Sequence, residues 1–220
     1  MNYFTEAIAW IFDPANAGGS GGIWARCIEH ILYTVLSVTL ACLVAIPLGY
    51  LVGHTGRGRG LVVVSSGAAR ALPSLGVVTL VALILGVGLI APVVALVLLA
   101  IPSVLAGAYA GIEAIDHRTI DAARAMGMSE WQVLTRVEIP LGLLLLLGGT
   151  RSATLQVVAT ATLAAYVGAG GLGRFLFLGL KTQDYPQMLA AAMLVVAIAL
   201  VMEGVFEIGE RVVARRLHIN

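Results

Sequence analysis

Residues Ala71 to Ile112 form a run of 42 without a single Asp, Glu, Lys, Arg or His. A helix crosses the hydrocarbon core of a bilayer with about 20 apolar residues. The run is too long for one crossing and fits two. Gly86-Val87-Gly88 and Pro92 mark the break between them, because helix propensity is lowest there. The first of the two starts near Leu61 and bends at Pro73. Ile31 to Gly53 is likewise uncharged and makes another span. Ile139 to Gly173 is apolar except for Arg151; at 35 residues it is one long span, or one span with a re-entrant tail. Tyr185 to Met202 is the last, closed by Glu203. The expectation is an all-α polytopic membrane protein of about five transmembrane helices, in a single domain over residues 1–220.

The rest of the composition narrows the function. Charged residues are 11% of the chain, against about 25% in ordinary soluble domains. That excludes a soluble enzyme, and the 60% hydrophobic content excludes disorder. A net charge of +1 offers no basic field for nucleic acid. Cys27 and Cys42 make neither a disulfide framework nor a metal cluster.

Lys and Arg in the short loops set the expected orientation. One side holds Arg57, Arg59, Arg118, Arg124, Arg136, Arg211, Arg215 and Arg216, eight in all; the other holds Arg26, Arg174 and Lys181, three in all. The excess puts the N-terminus outside and the C-terminus inside. The first 26 residues are polar and Gly-rich and lack the basic segment of a cleaved signal peptide. They read as a flexible extracytoplasmic segment before an uncleaved first span.

Glu113 to Glu138 is the one long hydrophilic interval, and the charge count makes it cytoplasmic. Asp121 to Met126 reads as a helix. Gly127 supplies a left-handed stop. Ser129 and Gln132 then form a capping box, and Pro140 marks entry into the next span. Helix, glycine turn and helix are predicted, too short for a domain core. Ile120, Met126, Met128, Trp131 and Leu134 are left over as apolar residues suited to docking in a partner's groove or lying on a membrane surface.

This interval carries a resemblance. Asp121-Ala122-Ala123, three residues, Gly127, nine residues, Val137, one residue, Ile139-Pro140 resembles the EAA loop of permease subunits from binding-protein-dependent ABC importers. Asp stands for Glu, Val for Ile and Ile for Leu, with every spacing kept. Arg70-Ala71-Leu72-Pro73-Ser74-Leu75, residues 149–154 and residues 160–173 resemble the osmoprotectant branch for glycine betaine, carnitine and choline. Methionine importers, which share the five-span core, are the alternative.

The resemblance implies a type I importer transmembrane domain, methionine-permease-like, in a bacterial plasma (inner) membrane. Two permease subunits, identical or homologous, would form the pore in membrane lipid. Two cytoplasmic ABC ATPase subunits would bind ATP and Mg, so this chain needs no cofactor of its own. An extracytoplasmic binding protein would deliver the ligand. The implied ATPase-coupling residues are Asp121, Ala122, Ala123, Arg124, Met126, Gly127, Met128, Ser129 and Pro140.

The pore and gate candidates are Arg70, Pro73, Ser74, Thr150, Arg151, Thr154, Thr160 and Thr162. Arg70 and Arg151 are costly charges near the membrane interior, and Glu203, Glu207 or backbone carbonyls are available partners. An arginine is the wrong contact for a quaternary ammonium, so a gate or structural role fits both. The Ser and Thr hydroxyls could line a hydrated path or bond neighbouring helices.

Gly168-Ala169-Gly170-Gly171-Leu172-Gly173 fits G-x-G-x-x-G, but no strand precedes it, so a dinucleotide fingerprint is rejected. A flexible or re-entrant outer segment is expected instead. Glu29 and His30 read as an interfacial pair.

Two other function classes fail on the residues. An intramembrane enzyme needs a buried Ser/His pair, and His30, His54, His117 and His218 all fall near span ends or in loops. An ATP-independent channel or carrier lacks mid-span acids and an inverted repeat.

Overall fold

The computed structural model describes residues 2–216 and, among these, all side chains but those of Leu61, Ser65, Ser66 and residues 68–70. In chain order the helices are α1 (Tyr3–Phe12), α2 (Pro14–Ala17), α3 (Ile23–Thr55), α4 (Arg59–Ala71), α5 (Ser74–Leu85) and α6 (Ile90–Glu113). Then come α7 (His117–Ala125), α8 (Glu130–Val133), a π-helical segment (Leu134–Glu138) and α9 (Ile139–Thr160). A 3-10 segment (Ala161–Val167), α10 (Gly173–Thr182) and α11 (Tyr185–Arg216) complete the order. No strand occurs among the described residues.

Four helical runs among the described residues are long and apolar enough to cross a membrane: α3, α6, the 38-residue run Glu130–Val167, and α11. The remaining apolar stretch is not one bent span. It is split into α4, of 13 residues, and α5, of 12, at Leu72-Pro73. Pro73 has no N–H to give and drives the residue before it out of the helical region. Twelve residues rise only about 18 Å, short of the roughly 30 Å core. The break between α5 and α6 falls at residues 86–89, as the glycines there require.

The N-terminal segment, expected as a flexible extracytoplasmic stretch, carries α1 and α2. Asp13 caps α2 by accepting from the Ala15 N–H. Trp10 of α1 meets Phe175 of α10 edge-on, with centroids 5.1 Å apart. Tyr3 meets Tyr185, the first residue of α11, in a tilted pair with centroids 5.7 Å apart. Aromatic edges of this kind contribute about 0.5–1.5 kcal/mol beyond burial.

The helices group into two compact units of interleaved segments. One takes residues up to Val38, Leu72–Leu99 and Thr154–Met202; the other takes Thr39–Ala71, Ala100–Ala153 and residues from Glu203 onward. The first has a core of Val78, Val81, Ala91, Ala95 and Val167. In it, His30 is fully buried and its Nε2 lies 2.9 Å from the Val158 carbonyl. Glu29 accepts from Arg26 at 2.7 Å and from the Gly171 N–H at 2.8 Å. The glycine-rich segment is therefore clamped to α3 rather than left loose.

The second unit is organised around the C-terminal half of α6. A Cβ added to Gly107 would stand 2.8 Å from the Gly149 Cα of α9, and one added to Gly111 would stand 2.5 Å from the Gly142 carbonyl oxygen. On its other side α6 meets α3, where a Cβ on Gly49 would stand 2.5 Å from that of Ala108. Gly49 and Gly53, and Gly107 and Gly111, have the small-x-x-x-small spacing that lets membrane helices approach to backbone contact. Arg59 pairs with Glu113 at 2.6 Å, tying the start of α4 to the end of α6.

Candidate functional site

The 113–140 loop belongs to the second unit and is built from capping chemistry. Asp116 opens α7 by accepting from the Arg118 N–H at 2.9 Å. The helix ends in a Schellman turn. The Met128 N–H reaches the Ala123 carbonyl at 3.2 Å, and the Gly127 N–H reaches that of Arg124 at 2.9 Å. Gly127 sits at φ +85°, the left-handed region that glycine occupies without penalty. Ser129 and Gln132 then exchange both hydrogen bonds of a capping box to start α8.

The loop has a small core that its length did not predict. Ile120, Ala123 and Val133 are buried together, flanked by Ile115, Met128 and Val137. Ile120 is thus internal to the loop, and Met128 is half-buried against it. Met126 and Trp131 are different: they are 78% and 72% exposed. Met126 precedes the turn and Trp131 follows it, so two large apolar side chains flank the tip at Gly127. Arg124 reaches Glu130 through Nε at 2.9 Å and Nη2 at 3.0 Å. That bond to Glu130 pushes the Arg124 pKa up from its ordinary value.

The π-helical segment has a cause. Pro140 offers no N–H to residue 136 and its ring crowds that carbonyl. The turn before it widens to five residues, Leu134–Glu138, instead of breaking. The loop therefore runs without interruption into α9, and Pro140 is the second residue of that helix.

Arg151 is held between α9 and α11 within the same unit. Its Nε donates to Glu203 at 2.8 Å, its Nη2 to the other Glu203 oxygen, and its Nη1 to Glu210 at 3.1 Å. Glu203 was an expected partner. Glu207 is not one, because it pairs with Arg211 one turn further on. Glu203 and Glu210 are seven residues, about two turns, apart and so share a face. Removing the guanidinium leaves two partly buried carboxylates together. Arg151→Ala is expected to cost about 1–3 kcal/mol, discounted for partial exposure, whereas exposed Arg174→Ala stays within about 0.5 kcal/mol. Thermal unfolding of both variants in detergent checks this; equal melting temperatures would contradict it.

The other pore candidates are divided. Thr150 lies in the second unit; Thr154, Thr160, Thr162, Pro73 and Ser74 lie in the first. Thr150, Thr160 and Thr162 donate to carbonyls of Leu146, Gln156 and Ala159 on their own run of helix. Thr154 is buried. Pro73 occupies the N-cap of α5 and Ser74 its first position. Arg70 falls in α4, with its side chain outside the described residues.

Two residues were missed. His54, at the end of α3, lies 2.6 Å from the buried carboxylate of Glu138. The signal present in the sequence was weak: a His closing one span and a Glu opening another.

Residues 45–218 match the family described as binding-protein-dependent transport system inner membrane component. The chain is 31% identical to the glycine betaine/carnitine/choline transport system permease protein OpuCB of Bacillus subtilis, covering 83% of this chain and 84% of that one. It is 34% identical to the carnitine transport permease protein OpuCB of Listeria monocytogenes, covering 80% of each. Its fold is similar to a chain of the MetNI methionine ABC transporter, with a TM-score of 0.75 at 22% identity over 87% of this chain and 95% of that one. With the loop geometry and the four membrane-length helices, these matches settle the family: the chain belongs to the inner membrane components of binding-protein-dependent transport systems.

Proposed function

We propose that this chain forms the translocation pore of an ATP-driven importer for small osmoprotectants with a quaternary ammonium group, such as glycine betaine, carnitine or choline. The observation that carries the coupling role is the loop tip, where Gly127 turns the chain and Met126 and Trp131 stand exposed on either side. The relatives' names support the substrate class.

In this reading the chain is a transport subunit, and a separate ATPase chain binds ATP and Mg and hydrolyses the nucleotide. Two such ATPase subunits each receive one coupling loop, centred on Asp121, Ala122, Ala123, Arg124, Gly127 and Ser129. A second permease, identical or homologous, completes the pore in a bacterial inner membrane. Closure of the ATPase pair moves the loops together and turns the pore outward, where a loaded binding protein releases its ligand. Pro73, Ser74, Thr150, Thr154, Thr160 and Thr162 contribute to the pore wall. Arg151 serves as a gate or strut and not as a ligand contact. Fold likeness to the methionine transporter supports an amino-acid importer as second reading, but at 22% identity it speaks for architecture.

Pull-down from native membrane in mild detergent tests the assignment. A stoichiometric ATPase is expected, and its binding protein should select a quaternary amine; a chain that emerges without an ATPase overturns the coupling role. The proposed orientation has its own check. In a chain with Cys27 and Cys42 replaced, Arg124→Cys should label from the cytoplasm and Lys181→Cys from outside. The reverse pattern would invert the topology.

A further inference from the structure

The coupling loop is joined to α3 by a chain of polar contacts. His54 Nδ1 donates to Glu138 Oε2 at 2.6 Å, and His54 Nε2 lies 3.4 Å from Glu130 Oε2. Glu130 is gripped by Arg124, whose Nη1 lies 3.7 Å from Asp121. Asp121, Arg124, Glu130, His54 and Glu138 thus link α7, α8, the π-helical segment and the last turn of α3. All five residues lie in one compact unit.

Two features make this link mechanical. The loop has its own buried core, so a push on its tip moves it as a body. Beside the link lies a cavity of about 380 Å³, lined by Gly53, Ile112, Ile120, Arg59, Glu113 and His117 among others. Glu138 is 2% exposed and has no other ion-pair partner among the described residues. A carboxylate so placed holds its partner firmly, because separation would leave it buried and alone.

We propose that His54 is a positioning residue for transport: it carries displacement of the coupling loop into α3, beside the loop's direct continuation into α9, and without it the pore responds less to loop motion. The proposal rests on the importer reading above.

The test uses the whole complex, permease with ATPase and binding protein, in proteoliposomes, with yield, ATP hydrolysis and glycine betaine uptake measured together. His54→Ala alone strands a buried carboxylate and can cost the fold. The deciding variant is therefore His54→Ala with Glu138→Ala, which removes the link and the buried charge at once. It is expected to assemble at normal yield and hydrolyse ATP, while uptake per ATP falls about fivefold. His54→Gln with Glu138→Gln keeps a neutral hydrogen bond between the same positions and should restore most of that ratio. Normal uptake per ATP in the double-alanine variant overturns the proposal. So does a parallel fall of yield, hydrolysis and uptake with their ratio unchanged, since that marks a structural contact only. Failure of the importer reading looks different: the unmutated complex would then show no ATP-driven uptake at all.

Discussion

Gly149→Val is expected to abolish folded protein, while Gly148→Val, one residue earlier, leaves it intact. A Cβ on Gly149 would stand 2.7 Å from the Gly107 Cα and 2.9 Å from the Ser103 carbonyl oxygen, and those atoms are backbone. Neither can swing aside as a flexible side chain would. The only relief is separation of α6 from α9, which also breaks the crossing at Gly111 and Gly142. In a membrane, close van der Waals packing is what holds helices together, because lipid tails are as apolar as the helices themselves. The loss should reach about 3 kcal/mol or more, the upper end for overpacked cores. Gly148 has nothing within 4 Å of its would-be Cβ, so the same change there meets open space. Size-exclusion chromatography of the two variants in mild detergent distinguishes them. Equal monodisperse peaks would show that the crossing is looser than described.

Gly127→Val is expected to cut uptake about tenfold while membrane insertion and yield stay normal. Nothing lies within 4 Å of a Cβ at this position, so the strain is in the backbone. Holding an L-residue in the left-handed region costs about 1–2 kcal/mol, and a β-branched one sits there worst. The turn then opens, and Met126 and Trp131 no longer flank a defined tip. Gly127→Asn is the informative control, because asparagine tolerates the left-handed region. If conformation is what matters, uptake should rank Asn above Ala above Val. If bulk in the ATPase groove decides instead, Ala should outperform Asn. Uptake at the normal level in Gly127→Val would remove the loop from the coupling role.

Much of this architecture was legible because its signals are local. Uncharged length marks a span, and a left-handed glycine followed by Ser and Gln marks a turn and a new helix. The turn at Gly127 and the capping box at Ser129 could be read for that reason, whereas the helix expected from Asp121 begins at His117, capped by Asp116. What escaped depends on partners distant in sequence. Gly107 and Gly111 show their spacing openly, yet only the approach of Gly142 and Gly149 gives it meaning. Ile120 read as a docking residue until Val133 turned out to be buried with it, and Met128 is half-covered beside them. His54 and Glu138 are 84 positions apart, and each alone reads as an ordinary span-end residue. Glu210 replaced Glu207 as a partner of Arg151 because seven residues, about two helical turns, return to the same face as Glu203 and four do not do so as closely. The helices of the amino-terminal segment were not foreseen, because Trp10 and Tyr3 meet aromatic rings of α10 and α11, partners distant in sequence.

The central claim is that this chain forms an ATP-powered path for a quaternary-ammonium osmoprotectant. Its most direct test is accumulation of labelled glycine betaine, choline and carnitine by proteoliposomes holding this chain with its co-purifying ATPase and binding protein. Accumulation that requires internal ATP, requires the binding protein and is competed by the other quaternary amines is predicted. Uptake that ignores ATP or the binding protein, or accumulation of an amino acid such as methionine in place of all three, would contradict it.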